Sequence, residues 1–345
     1  MASPAHYSPP SGFSPGWTHR FAGWVADSFL LSHGRHLMQR NWENYFLPLS
    51  KVGKLSAGVY LILKDYSAGL FPPTFADQAK AYAAERDYYS SMPGAKREVV
   101  LAGHVQKPFW DPNNFATYIG KFTRLWRELE ALELRPGARL LELGCGCGWM
   151  SEFLAIAGYH VLGTSIGPDE IGLAEKRITA LRARGVDEVR LSFKEGPMET
   201  VDEVVAPARD FDGVFVFEAL HHAFDWRQTI HAAFRCLKPG GWLLVADEPN
   251  RLHTFVSYRI SRLTNTHEIG MSRPLLEAEM KRAGFREVRV LRRSGLPPES
   301  SGGAGGLTAW TSSNGRVRAF PFRGRSGCEC RARRSFPGWD PPRAP

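Results

Sequence analysis

Leu140-Leu141-Glu142-Leu143-Gly144-Cys145-Gly146-Cys147-Gly148-Trp149 decides the fold. Residues 140–143 form a short run of strand length, three glycines follow at alternate positions, and a helical pattern begins at Trp149. Glycine is needed where a backbone turns sharply from strand to helix and where a ligand must approach the main chain. In an open parallel sheet that place is the carboxyl end of a strand, which is where ligands bind. A dinucleotide fingerprint would require a sixth-position glycine, and that position is Trp149. Glu142 stands inside the strand two residues before the first glycine, where a carboxylate can orient the loop or meet a cationic ligand.

Outward from this loop, short apolar runs alternate with amphipathic helices. Strands are expected at 139–143, 160–164, 189–193, 212–217, 241–247 and 285–291, with helices at 149–157, 168–184, 225–237 and 274–283. The alternation implies βαβ units, hence an α/β fold with a doubly wound, mostly parallel sheet covered on both faces. Upstream, Asp111-Pro112-Asn113-Asn114 opens a helix that stops at Pro136-Gly137. Phe21, Trp24, Val25 and Phe29 follow helical spacing, and 75–90 reads as another helix. The expected organisation is a disordered 1–18, a helical lid and substrate region over 19–110, the ligand-binding domain over 111–291, and an irregular Arg-rich tail over 292–345. No strand is expected beyond 291, which would leave the sixth strand an exposed edge.

Further segments fall in a consistent order. Phe211-Asp212-Gly213-Val214-Phe215-Val216-Phe217-Glu218 ends a fourth strand and is followed by Ala219-Leu220-His221-His222. Arg235-Cys236-Leu237-Lys238-Pro239-Gly240-Gly241-Trp242 forms a helix–turn–strand element, and Ser272-Arg273-Pro274 opens a last helix that ends at Gly284-Phe285. With Glu142-x-Gly144-x-Gly146-x-Gly148, this ordered set resembles the class I S-adenosylmethionine-dependent methyltransferases of the small-molecule type, with their Rossmann-like fold. It covers about 135–291.

The resemblance implies S-adenosyl-L-methionine as cofactor, with Glu142, Gly144, Cys145, Gly146 and Gly148 around its methionine moiety and Glu218 close by. It places Ser165 where the family usually offers an acid to the ribose, Pro197 where an acid usually reaches the adenine amino group, and Met198 packed on the adenine ring. Asp169 and Glu170 are read as the first turn of the next helix, which acids suit. Displacement at a sulfonium methyl requires a held nucleophile in a dry pocket, and a hydroxyl acceptor also benefits from a general base. His222 and His221, just past the fourth strand, are the candidates for that base. His267 with Glu268 lies in an insertion after the fifth strand that can cover the pocket. Trp24, Trp42, Tyr45, Phe46 and Trp110 are candidates for a lid over the acceptor.

Other chemistries fit the residues less well. Pro249 interrupts Asp247, Glu248 and Asn250, so no metal site is expected there, and neither cysteine pair has zinc spacing. A nicotinamide-dependent oxidoreductase shares the sheet and the loop, but Trp149 argues against it. A non-catalytic member of the methyltransferase fold is the other alternative, suggested by Ser165 and Pro197. Phe217-Glu218-Ala219-Leu220 replaces the Asn/Asp-Pro-Pro-aromatic motif of enzymes that methylate base amino groups, so no nucleic-acid partner is expected.

The formal charge of +9 is unevenly spread: +4 over 1–110, −2 over 111–291 and +7 over 292–345, where ten Arg occur and no Lys. The basicity therefore marks the tail and not the ligand-binding domain. Five cysteines make no disulfide framework, and the N-terminus has no basic start or apolar run. No apolar stretch reaches membrane-span length. The expectation is a cytoplasmic enzyme that methylates a small molecule, or a lipid or sugar, with acceptor and oligomeric state left open.

Overall fold

The computed structural model describes residues 9–41, 49–71, 78–88, 97–109, 112–186, 190–206, 210–268, 270–290 and 307–312. Strands β1 (Arg139–Leu143), β2 (His160–Ser165), β3 (Leu191–Glu195), β4 (Phe211–Phe217), β5 (Leu237–Glu248), β6 (Glu287–Val290) and β7 (Leu307–Ser312) form one sheet in the order β3-β2-β1-β4-β5-β7-β6. The first five run parallel, with Leu141 opposite Leu162 on one side and Val214 on the other. Their continuous apolar runs follow from burial on both faces. From β1 the chain winds outward through β2 and β3, then returns to lay β4 and β5 on the other side. The carboxyl ends of β1 and β4 therefore border the topological switch point, and a crevice opens there.

Two helical layers cover the sheet. On one face α10 (Trp226–Cys236) and α12 (Arg273–Ala283) insert Trp226, Ile230, Leu276 and Met280 against Leu141, Val214 and Leu243. On the other, α6 (Pro112–Ala131), α7 (Trp149–Ile156) and α8 (Pro168–Ala183) supply Leu125, Leu129, Met150, Leu154, Ile178 and Leu181. Each such side chain contributes roughly 1.5–3 kcal/mol through burial. The N-terminus of α10 is capped by Asp225, whose carboxylate accepts the Arg227 and Gln228 N–H groups.

The N-terminal helices build a separate small core. Met38 of α2 (Ser32–Asn41) and Ala57, Leu61 and Ile62 of α3 (Lys51–Ser67) surround Tyr258 of α11 (His253–Thr264), the helix inserted after β5. Asp65 of α3 accepts a hydrogen bond from the Tyr258 hydroxyl at 2.8 Å and pairs with Arg262 at 2.7 Å. The helices cross so closely that a Cβ on Gly58 would lie 1.5 Å from the Phe255 carbonyl oxygen.

One sequence expectation is corrected. A strand does follow residue 291: β7 lies antiparallel between β5 and β6, with Leu244 and Arg289 both opposite position 310. Its six residues are too short and too isolated behind a Gly/Ser-rich stretch to stand out, because two neighbouring backbones define it. The aromatic stripe on α1 (Trp17–Asp27) faces outward. Ala22 and Ala26 pack, while Trp17, Phe21 and Trp24 stack along the outer side, and Trp24 is 67% exposed. Small residues win the helix–helix contact because they permit close approach. Trp42, Tyr45, Phe46, Trp110, Cys328, Cys330 and most of 292–345 lie outside the described residues.

Candidate functional site

β1 ends in the glycine loop, whose residues Gly144, Gly146 and Gly148 take φ of 68°, 51° and 71°. These are left-handed conformations that side chains resist. At Gly144 a Cβ would also come within 2.5 Å of the Ala219 Cβ, and at Gly148 within 2.4 Å of the Phe193 ring. The loop thus fits under the start of α7 only as glycine. It lines a cavity of about 130 Å³, together with Glu142, Cys145, Trp149, Phe217 and Glu218, and with His104, Lys107 and Tyr118 from upstream.

Glu142 is buried at the inner end of this cavity. Its carboxylate accepts the Ser151 hydroxyl hydrogen and has no cationic partner among the described residues. Burial pushes its pKa up to about 7, against the lowering effect of the Ser151 hydrogen bonds. Cys145 is buried beside it, and burial raises its thiol far above the ordinary range, so it is an unreactive wall.

Ser165, at the end of β2, donates its hydroxyl to the carboxylate of Glu170 in the first turn of α8. The acid absent from position 165 is thus delivered from five residues downstream. The same Glu170 carboxylate lies 3.8 Å from the point where a Gly146 Cβ would stand. Met198 opens the short helical turn Met198–Thr200, with its Sδ 3.6 Å from the corresponding point at Gly144. The predicted residues around the loop therefore converge. Glu170 makes a hydrogen bond to Ser165 that sequence reading, which took it as a helix-initiating acid, did not anticipate.

At the carboxyl ends of β4 and β5, Glu218 and Asp247 both adopt positive φ, 50° and 55°. Such strain persists where the surroundings hold it. Lys121 pairs with Glu218 and Arg124 with Asp247, each at 2.5 Å. These cations stand three residues apart on one face of α6, so the helix lies across the sheet end beside the cavity.

The histidines take distinct environments. Glu248 is fully buried and accepts the backbone N–H groups of Ala219, Leu220 and His221, plus the His221 ring nitrogen Nδ1 at 2.8 Å. Burial alone would raise its pKa, but His221 and the N–H donors hold it below the ordinary value. His222 lies 3.5 Å from the Glu85 carboxylate of α4 (Gln78–Arg86). Burial disfavours its charged form, yet Glu85, Glu268 and Glu248 together raise its pKa to about 9. His222 is therefore a cation at neutral pH and lacks the lone pair a general base needs. Glu85 also accepts the His267 N–H at 2.9 Å, which brings the 265–268 segment beside His222. Neither His221 nor His222 lines the glycine-loop cavity itself.

A methyltransferase-domain family model matches residues 114–290, just over half of the chain. The chain belongs to this methyltransferase-domain family. It is 26% identical over 194 residues to the S-adenosyl-L-methionine-dependent Diels-Alderase iccD of Talaromyces variabilis, a match covering 55% of this chain and 65% of that protein. It is 30% identical to the ubiquinone biosynthesis O-methyltransferase of Bordetella pertussis, over 45% of this chain and 63% of the relative. With the 27-O-demethylrifamycin SV methyltransferase of Amycolatopsis mediterranei the identity is 32%, over 51% and 59%. The matches thus span under two thirds of these relatives' lengths.

The cofactor of this family is S-adenosyl-L-methionine, and the residues present fit it. The glycine loop leaves its backbone open to the cavity, and Glu142 offers a buried carboxylate with no cationic partner among the described residues. The sheet, the loop and the order of segments agree with the sequence reading, and the oxidoreductase alternative is not favoured. Lys107 and His104, outside every recognised segment, were not anticipated. Only their place in the folded chain brings them to the loop.

Proposed function

We propose that the chain transfers the methyl group of S-adenosyl-L-methionine to a small-molecule acceptor in a cytoplasmic setting. The observation that carries this reading is the cavity in which the glycine loop meets the Glu142 carboxylate, buried without a cationic partner among the described residues, at the end of β1. Glu142 receives the cofactor's ammonium group, and the Gly144–Gly146 backbone lies against its methionine chain. Gly148 lets the loop turn into α7, Ser165 with Glu170 receives the ribose hydroxyls, and Met198 packs on the adenine. Glu218, held by Lys121, closes the side toward the acceptor. Cys145, Cys147 and Cys236 are free thiols, which suits a reducing compartment. None of the described helices is long and apolar enough to cross a membrane.

When bound, the cofactor supplies a methyl group already activated on a sulfonium centre. The protein then has to orient an acceptor, exclude water and take a proton. We assign the last task to His221, in the turn Leu220–His222 that follows β4. Glu248 can only accept at Nδ1, so a neutral His221 carries its proton there and keeps a lone pair on Nε2. An acceptor hydroxyl held there would lose its proton to that nitrogen, while the bound cofactor would supply the electrophilic methyl group and carry away the leaving sulfur. His222 stays charged and orients the acceptor or Glu268.

Incubation with a labelled methyl donor and a panel of small hydroxylated acceptors tests the reading. The expected result is labelled product with an equal amount of S-adenosylhomocysteine. His221→Ala should lower kcat by about 10²–10⁴-fold with little change in cofactor affinity. Failure of the intact chain to bind S-adenosylhomocysteine would remove the proposal.

A further inference from the structure

Lys107 follows α5 (Arg97–Val105), outside the stretch that the family model matches. Its side chain is half-buried, lines the glycine-loop cavity and has no carboxylate within ion-pair reach among the described residues. The ammonium stands 5.6 Å from the centre of the Tyr118 ring, and Lys121 stands 5.9 Å from the same centre. A buried cation without an anion is costly, because the interior replaces only part of its hydration. Glu142 poses the opposite case in the same cavity, a buried carboxylate without a cation. The two do not pair with each other. A small cavity lined by one unpaired group of each sign is complementary to a zwitterion.

The position of Lys107 is fixed by a single buried guanidinium. Arg177 of α8 pairs with Glu152 at 2.5 Å and donates to the Cys147 carbonyl at 2.6 Å. Its remaining nitrogen donates to the carbonyls of Val105 at 2.8 Å and Lys107 at 3.0 Å. The Cys147 thiol adds a contact to the His104 carbonyl at 2.9 Å. The backbone bearing Lys107 is thus tied to the second half of the glycine loop through side-chain donors on its carbonyls.

We propose that Lys107 is the anchor for the α-carboxylate of the cofactor's amino-acid moiety, facing Glu142, which takes the α-ammonium. The proposal rests on the methyl-transfer reading above and assigns that site a recognition element outside the glycine loop. It makes the chain select ligands by their amino-acid end as well as their nucleoside end.

Isothermal titration with two ligands separates the possibilities. S-adenosylhomocysteine carries the zwitterion, whereas 5′-methylthioadenosine has the same nucleoside and sulfur without it. Lys107→Ala should weaken S-adenosylhomocysteine about 10- to 100-fold, the effect of one lost charge-assisted contact, and leave 5′-methylthioadenosine within about twofold. Lys107→Arg should recover much of the loss. Equal weakening of both ligands by Lys107→Ala would assign the residue a purely structural role and overturn the proposal. So would unchanged binding of both. Absence of S-adenosylhomocysteine binding by the unsubstituted chain would instead remove the methyl-transfer reading on which the proposal stands.

Discussion

Glu142 shows how one side chain couples protonation to binding. Its pKa near 7 leaves it half protonated at neutral pH, and only the ionised form attracts an ammonium group. Cofactor affinity should therefore rise between about pH 6 and 8, with proton release detectable as a buffer-dependent binding enthalpy. Glu142→Gln should flatten that rise, and a wild-type affinity that falls over this range would contradict the assignment. At this scale the sequence was informative where chemistry is local: Glu142, the glycines and Met198 sit where their spacing placed them. It was silent where chemistry is assembled over distance. Glu170 was legible as a helix-starting acid, but its return to Ser165 depends on the turn between β2 and α8. Lys107 gave no signal, since its meaning comes from an Arg177 contact 70 positions away.

Among elements, α6 has the most consequential placement. Lys121 and Arg124 hold two strained carboxylates at adjacent strand ends, so the helix both covers the site and fixes its edge. Arg124→Ala should destabilise by about 1–3 kcal/mol, because it leaves Asp247 half-buried and without its cation. Denaturant midpoints at constant m-value would check this. The α1 helix makes the opposite point. Its aromatic spacing correctly announces a helix, but periodicity alone does not say which face packs. Trp24→Ser should change stability by less than about 0.5 kcal/mol, whereas Gly58→Ala, at the α3–α11 crossing, should cost more than about 2 kcal/mol. A large loss from Trp24→Ser would place that ring in a contact absent from this structure. Strand β7 escaped notice for a related reason, since a short strand between two partners needs little distinctive sequence of its own.

For the whole molecule, the doubly wound, mostly parallel sheet was readable because each βαβ unit carries its own alternation. The charge balance was readable too: a near-neutral ligand-binding region agrees with a buried cleft that uses isolated charges. The pH dependence of stability was not, because it arises from groups brought together by folding. His222 has a raised pKa, so its contribution is complete below about 6.5, its unfolded value, and is lost as pH climbs through about 9. Glu142 acts in the same direction, because its protonated form is favoured in the folded state and that preference disappears between about 4.5 and 7. Thermal midpoints should fall from pH 6 to 9.5, and Glu85→Gln should reduce the part of the fall above pH 7.

The central claim is that the cavity at the end of β1 is built for S-adenosyl-L-methionine, and ligand-dependent thermal stabilisation of the intact chain tests it most directly. The account predicts a midpoint that rises with S-adenosylhomocysteine concentration and does not move with NAD or NADH, the rise being abolished by Gly144→Val. Stabilisation by NAD or NADH in place of S-adenosylhomocysteine, or by neither, would contradict it.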